Sequence, residues 1–204
     1  MNDGAYGLIL AGGKSSRMAG VDKGFVTLAG SSLITRAVAR AGTQVSPLAI
    51  GASGDPSRFS EFDVPVIPDA TSPTIEGHAG PLASILGGLE WTAAHGGDRL
   101  ATFSVDAPFF PDDLVARLTQ AAATPKTISV AASQGRAHYV FGLWPTTHTG
   151  DLRKFLEAGA SRSVRKFLEN HAMALVDFPS APIDPFFNIN TPDDLAAAER
   201  MVGE

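Results

Sequence analysis

Tyr6 to Ala11 is an unbroken run of mostly aliphatic residues that stops abruptly at the pair Gly12-Gly13. Its lack of polar alternation suits a strand buried on both faces of a parallel sheet. Glycine tolerates positive φ and carries no Cβ, so the backbone can turn sharply there and bring its N–H groups close to an anion. Beyond the turn, Arg17 offers a planar fork for phosphate oxygens and Lys23 a compact point charge. Leu8 to Lys23 therefore reads as a strand feeding a polyphosphate cradle. Gly13-Lys14-Ser15 superficially matches the end of a Walker A loop. That motif, however, needs a glycine where this chain has Leu8, and Gly7 is out of register. A dinucleotide-binding G-x-G-x-x-G is absent too, because Gly12 and Gly13 are adjacent and Ser15 and Ser16 follow.

The same punctuation recurs along the chain. Phe25–Leu28 reads as a short extended piece and Ser32–Ala41 as a helix with Leu33, Ala37, Val38 and Ala41 on one side. Pro47–Ala52 and Val64–Ile67 are strands, the second closed by Pro68 and Asp69. Thr71–Ala79 has no apolar period and reads as an exposed loop. Pro81 presets φ for a first helical turn, and Leu82, Ile85, Leu86 and Leu89 continue the helix towards His95. Leu100–Pro108 is an apolar strand ending in Asp106, and Leu114–Ala123 an amphipathic helix whose start carries Asp112 and Asp113. Thr127–Ala132 and His138–Trp144 read as two strands joined antiparallel at the sheet edge. Short helices over Asp151–Ala158 and Ser163–His171 follow, then a strand over Ala174–Phe178 and a final helix capped by Thr191 with Pro192 at its first turn. Alternating buried strands and helices predict one α/β domain over residues 1–204. It is a three-layer, doubly wound, mostly parallel sheet with an antiparallel edge element, binding ligands at the carboxyl ends of its strands.

With 204 residues, 44% of them hydrophobic, the chain can bury a substantial core. A net charge of −5 with both signs scattered gives no general affinity for nucleic acid or anionic membrane. No cysteine is present, which excludes disulfides, thiolate metal sites and cysteine nucleophiles. No basic and apolar leader or bilayer-length apolar run is present, so a cytoplasmic protein is expected.

Two carboxylates fall at predicted strand ends. Asp69 could recognise part of a nucleotide or cap its loop. Asp106 is placed to hold magnesium, an ion that takes one or two carboxylates plus phosphate oxygens and water, or to cap the following helix. Asn188 and Asn190, two apart, point the same way if extended. His138, Tyr139 and Trp144 read as packing, and Arg162, Arg165 and Lys166 as a solvated helix face with pterin-phosphate contact as the sharper alternative.

Leu10 to Met18, with Asp22-Lys23, resembles the first loop of the nucleotidyltransferase family that includes molybdenum cofactor guanylyltransferase. The resemblance extends through Gly80-Pro81-Leu82, V-D-A-P-F around Asp106 and the F-x-N-x-N-T-P-x-D-L ending, so it spans Leu10 to about Leu195. It implies a Rossmann-like nucleotidyltransferase fold and transfer of GMP from Mg-GTP to the phosphate of molybdopterin, or its molybdenum-loaded form, with pyrophosphate released. It further implies that Leu10, Ala11, Gly12, Gly13, Lys23, Gly51, Asp69 and Asp106 bind the nucleotide, with Arg17, Lys23 and Asp106 catalytic. Asp106 would hold Mg2+, and Pro81, Asn188 and Asn190 would face the acceptor. Contact with proteins that insert or receive the cofactor is a further implication. Two departures stand out: Ser84 where the family has a glycine, and Gly51 and Ser53 where some relatives carry an asparagine. Base selectivity is thereby left open, and cytidylyl transfer, or transfer to another small phosphate, is the alternative within the enzyme class. A non-catalytic GTP-binding cofactor chaperone is the alternative outside it.

Overall fold

A computed structural model describes residues 4–12, 22–72, 75, 80–159 and 161–203. In chain order the elements are β1 (Tyr6–Leu10), β2 (Thr27–Leu28), β3 (Ser31–Ser32), α1 (Leu33–Gly42), β4 (Leu48–Gly51), β5 (Val66–Ile67), α2 (Pro81–Ala94) and β6 (Arg99–Ser104). They continue with α3 (Leu114–Ala121), β7 (Ile128–Ser133), β8 (Arg136–Pro145), α4 (Thr149–Glu157), α5 (Val164–Leu168), β9 (Met173–Asp177) and α6 (Pro192–Gly203). Seven strands form one sheet in the order β5-β4-β1-β6-β8-β7-β9, while β2 and β3 make a separate small antiparallel pair.

β1 is central because its side chains are apolar in both directions. Leu8 and Leu10 join one core with Leu82, Leu86, Leu89, Trp144 and Phe167, whereas Ile9 joins the other with Leu33, Ile34, Phe103, Phe110 and Leu118. One face is thus covered by α2, α4 and α5 and the other by α1, α3 and α6, giving three layers. Among the described residues no helix is long and apolar enough to cross a membrane.

The six strands other than β8 share one direction. β8 pairs antiparallel with β6 and with β7, so the antiparallel strand lies inside the sheet rather than at its margin. The margin is β9, which adds parallel to β7. Sequence periodicity reports that a hairpin exists, but the β7–β9 pairing that moves it inward is a non-local event.

Three local expectations also shift. Phe25 closes a 3-10 turn over Lys23–Phe25, in which Asp22 Oδ1 accepts the Gly24 N–H at 3.1 Å, so the extended piece expected over Phe25–Leu28 is confined to Thr27–Leu28. β6 stops at Ser104, two residues before Asp106, and the Asp106 carbonyl accepts the Ile189 N–H at 2.8 Å instead of a strand partner. Most of Thr71–Ala79 lies outside the described residues; within it Ile75 is buried and bridges Ser72.

Candidate active site

The register of β4, β1 and β6 sets Gly51, Leu10 and Ser104 in one row, with neighbouring strands about 4.8 Å apart. The segments leaving that row, Ala52-Ser53, Ala11-Gly12 and Val105-Asp106, emerge side by side. Pairing persists one residue beyond each strand: Ala11 donates to Gly51 O at 2.9 Å and Val105 to Leu10 O at 3.3 Å. Between these segments and the start of α2 opens a cleft of about 580 Å³ whose lining includes Gly12, Lys23, Asp69, Pro81, Ser84 and Asp106, a size that suits a nucleotide-class ligand.

Lys23 is the hub of one wall. Its ammonium lies 3.3 Å from Asp106 Oδ2 and donates to Asn190 Oδ1 at 2.5 Å. Asp106 Oδ1 accepts the Ser104 hydroxyl at 2.6 Å. The Lys23 and Asp106 side chains are each 22% exposed, so both meet the cleft while their attraction is only partly damped by water.

Asn190 reaches Lys23 because the chain around it is pinned twice. Ile189 is fully buried and its N–H is bonded to Asp106 O. At the start of α6, Asp194 Oδ2 accepts the N–H groups of Asn190 and Thr191, both at 2.9 Å, and Thr191 Oγ1 accepts the Asp194 N–H at 3.1 Å. This reciprocal cap satisfies donors that a helix start leaves unpaired. The Asn190 N–H, followed by the Thr191 hydroxyl, holds the Asp194 carboxyl below the usual aspartate range.

The opposite wall carries Asp69. Gly87 lets α2 lie directly on the segment that follows β5, since a Cβ there would stand 2.5 Å from Pro68 O, and Ala70 donates to Ala83 O at 3.0 Å. That contact delivers Ser84 to Asp69. Ser84 donates its hydroxyl to Asp69 Oδ1, and Ser53 donates to Oδ2 at 2.7 Å. Ser84 Oγ is also 3.8 Å from where a side chain on Gly12 would begin. The two positions at which the sequence departs from the family pattern therefore converge on one carboxylate.

Among the expected residues, Leu10, Ala11, Gly12, Lys23, Asp69, Pro81 and Asp106 line the cleft, and Asn190 joins it through Lys23. Gly51 stands in the row but outside the lining, its carbonyl taken by Ala11, and the lining continues instead at Ser53 and Gly54. Asn188 is exposed and stands outside the lining. Gly13 and Arg17 lie outside the described residues.

Sequence reasoning missed Arg58. It lies in the 3-10 segment Pro56–Phe62 and lines the cleft. Its guanidinium pairs with Asp22 Oδ2 at 2.7 Å, donates to Ser53 O at 2.9 Å and sits 4.7 Å over the Phe59 ring. Nothing local in D-P-S-R marks that role. Ser104, which orients Asp106, could have been found from its two-residue spacing.

The remaining candidates pack, as expected. His138 Nε2 meets Ser133 Oγ at 2.8 Å, but Asp184 accepts from Ser133 rather than from the imidazole. That wiring lacks the carboxylate that orients a catalytic histidine. Burial lowers the His138 pKa, and the ring stacks on Phe186 at 4.5 Å. Arg165 is spent on Glu169 at 3.2 Å on an exposed helix face.

Asp106 fits a small divalent cation. Among the described residues each of its oxygens has one hydrogen-bonding or ionic neighbour, and hard carboxylate oxygen is the donor that such ions prefer.

Glycine backbone, a lysine and an aspartate thus share one cleft at the carboxyl edge of a doubly wound sheet. The MobA-like NTP transferase domain family matches residues 7–174. A molybdenum cofactor guanylyltransferase from Mesorhizobium japonicum is 48% identical over 201 residues, covering 96% of this chain and 95% of the relative. The crystal structure of molybdopterin-guanine dinucleotide biosynthesis protein A from Archaeoglobus fulgidus superposes with a TM-score of 0.73 at 19% identity, over 97% and 98% of the two chains. A manganese complex from Mycobacterium tuberculosis shares the fold with a TM-score of 0.66 at 16% identity, over 97% and 98%. The chain belongs to the molybdenum cofactor guanylyltransferase family.

Proposed function

We propose that this nucleotidyltransferase moves GMP from Mg-GTP to the terminal phosphate of molybdopterin, or of its molybdenum-loaded form, yielding the guanine dinucleotide and pyrophosphate. The observation that carries the reading is the meeting of Lys23, Asp106 and Asn190 at the cleft that Gly12 also lines. The names of relatives at 44–48% identity support the choice of substrates.

An acceptor phosphate oxygen forms a bond to the α-phosphorus of the nucleotide while the bond from that phosphorus to the bridging oxygen breaks, and pyrophosphate carries the electron pair away. The acceptor is already ionised, so no general base is required. Rate enhancement comes from alignment and charge neutralisation.

Backbone of Leu10 to Gly13 cradles the phosphates. Lys23 exchanges its contact with Asp106 for phosphate oxygens, and Arg17 adds a second cation. Asp106 would hold magnesium, which would neutralise phosphate charge. Asp69, fixed by Ser53 and Ser84, accepts hydrogen bonds from the nucleoside. Asn190 orients Lys23, and Asn188 and Pro81 lie towards the acceptor.

The test is pyrophosphate release with molybdopterin against each of the four ribonucleotides. Release with GTP and not with the others is expected. Preference for CTP, or GTP binding without release, would overturn the assignment.

A further inference from the structure

At the other edge of the sheet, three side chains that the reaction does not use come together. His148 ends the 3-10 turn Thr146–His148, Asp151 lies in the first turn of α4, and His171 follows α5 just before β9. One potential ligand atom from each lies within 4.8 Å of the others, the one such His/Asp/Glu group of three among the described residues. β8 places the cluster: Pro145 pairs with Arg99 at the start of β6, whereas Asp106 lies beyond its end. A six-residue strand, about 20 Å, separates the two sites.

The hydrogen bonds fix which nitrogens are available. His148 Nε2 lies 2.8 Å from Lys126 O, and His171 Nδ1 lies 2.8 Å from Phe167 O. A carbonyl only accepts, so each of these nitrogens carries the proton and the other keeps its lone pair. His148 Nδ1 is buried without a hydrogen-bond partner, in a residue only 7% exposed. His171 Nε2 faces Asp151 Oδ2 at 3.8 Å, and the two rings meet edge to face at 4.9 Å.

A buried imidazole nitrogen with no partner is costly. Two imidazoles whose second nitrogens are tied to backbone carbonyls have the outer-shell arrangement of metal-bound histidines.

We propose that His148 Nδ1, His171 Nε2 and Asp151 bind one zinc-class divalent cation, with solvent in the fourth position. Two ligands on one tetrahedral zinc are separated by roughly 3.4 Å, so modest closure completes the site. Asp151, 59% exposed, supplies the carboxylate's share of it. The surface recess that Asp151, Lys154, Phe155, Phe167, Asn170 and His171 line gives the ion a path in. Lys154 shares that recess, and its flexible stem lets the ammonium swing clear. The ion ties the start of α4 to the end of α5 and, through Lys126, to the strand β7; two imidazoles and one carboxylate select zinc, cobalt or nickel over magnesium.

The experiment uses the full chain stripped with a chelator and titrated with Co2+, whose visible absorption reports nitrogen-ligated four-coordinate geometry, and separately with Zn2+ during thermal melting. One equivalent of Co2+ should develop the band, and saturating Zn2+ should raise Tm by about 5 °C. His171→Gln and Asp151→Asn should each weaken binding at least tenfold and remove the Tm shift. Asp106→Asn should keep both signals, which separates this site from the magnesium position. Asp151 is exposed, so its variant decides the matter even if His171→Gln folds poorly. Absence of the band in the unmodified chain, its persistence at equal affinity in Asp151→Asn, or its loss in Asp106→Asn would overturn the proposal.

Discussion

Two of the ion pairs that join distant parts of this chain behave as different kinds of object. Arg153 binds Glu90 across the α2–α4 contact and also reaches Glu157 at 3.6 Å, one turn along its own helix. Its guanidinium has carboxylates on two sides, and the Glu90 hydrogen bond holds its pKa above the usual value. Lys23 and Asp106 are less exposed, but both face the cleft, and Lys23 divides itself between Asp106 and Asn190. The first pair is closed on itself and staples two helices. The second is a standing arrangement of charge that a phosphate and a cation can enter. Position relative to a cavity, more than distance, separates the two pairs.

Breaking the cleft pair tests this most severely. Lys23→Ala or Asp106→Ala should lower turnover by roughly 10²–10³-fold or more, measured by pyrophosphate release, with Tm within a few degrees of the parent. Wild-type turnover in either variant would place the chemistry elsewhere. On the opposite wall, Ser84→Ala removes a hydroxyl bonded to a carboxylate, an interaction of about 1.5–3 kcal/mol. The expected result is a KM for the nucleotide raised about tenfold or more, with kcat changed less; Ser84→Thr should restore part of the loss, and an unchanged KM would detach Asp69 from nucleotide binding.

A smaller effect is expected where the second asparagine is held. Asp194→Ala removes one half of the α6 cap, so Tm should fall by about 2–4 °C and kcat several-fold as Asn190 loosens. The pH dependence has a definite sign. Because the folded-state pKa of Asp194 is lowered, its contribution is fully present above the ordinary aspartate pKa of about 4 and is lost as pH falls towards the folded value. The Tm gap between parent and variant should therefore hold from pH 7 to 5 and narrow below about pH 4; narrowing already at pH 6 would implicate another group. Least of all should change in Arg153→Ala, whose pair is more than a third exposed. Salt screening limits the loss to about 0.2–1 kcal/mol, and activity should be unaltered. A large loss of turnover there would erase the contrast between the two pairs.

Much of this organisation was legible in one dimension. The unalternating apolar run of β1, the Ser32 cap before α1, Pro81 at the start of α2 and Thr191-Pro192 before α6 are local signals with local causes, and each produced the expected element. Lys23 and Asp106 were legible because a cation past a glycine turn and a carboxylate past a strand each carry their chemistry in their own neighbourhood. Arg58 was not, since its role depends on Asp22 and Ser53 being brought to it. The place of β8 inside the sheet, the exclusion of Gly51 from the cleft lining and the pairing of His148 with His171 were hidden for the same reason.

The sequence alone determined the alternation of elements and the end of β1 ahead of Gly12, because hydrophobic period, capping and glycine conformation act over a few residues. Tertiary structure decided which groups share a cavity. Lys23 and Asn190 are 167 residues apart along the chain and hydrogen-bonded in space, and Ser53 and Ser84 approach Asp69 from two different segments. Those meetings depend on strand register and on α2 lying close against the chain at Pro68, contacts between distant segments that no short window of sequence contains.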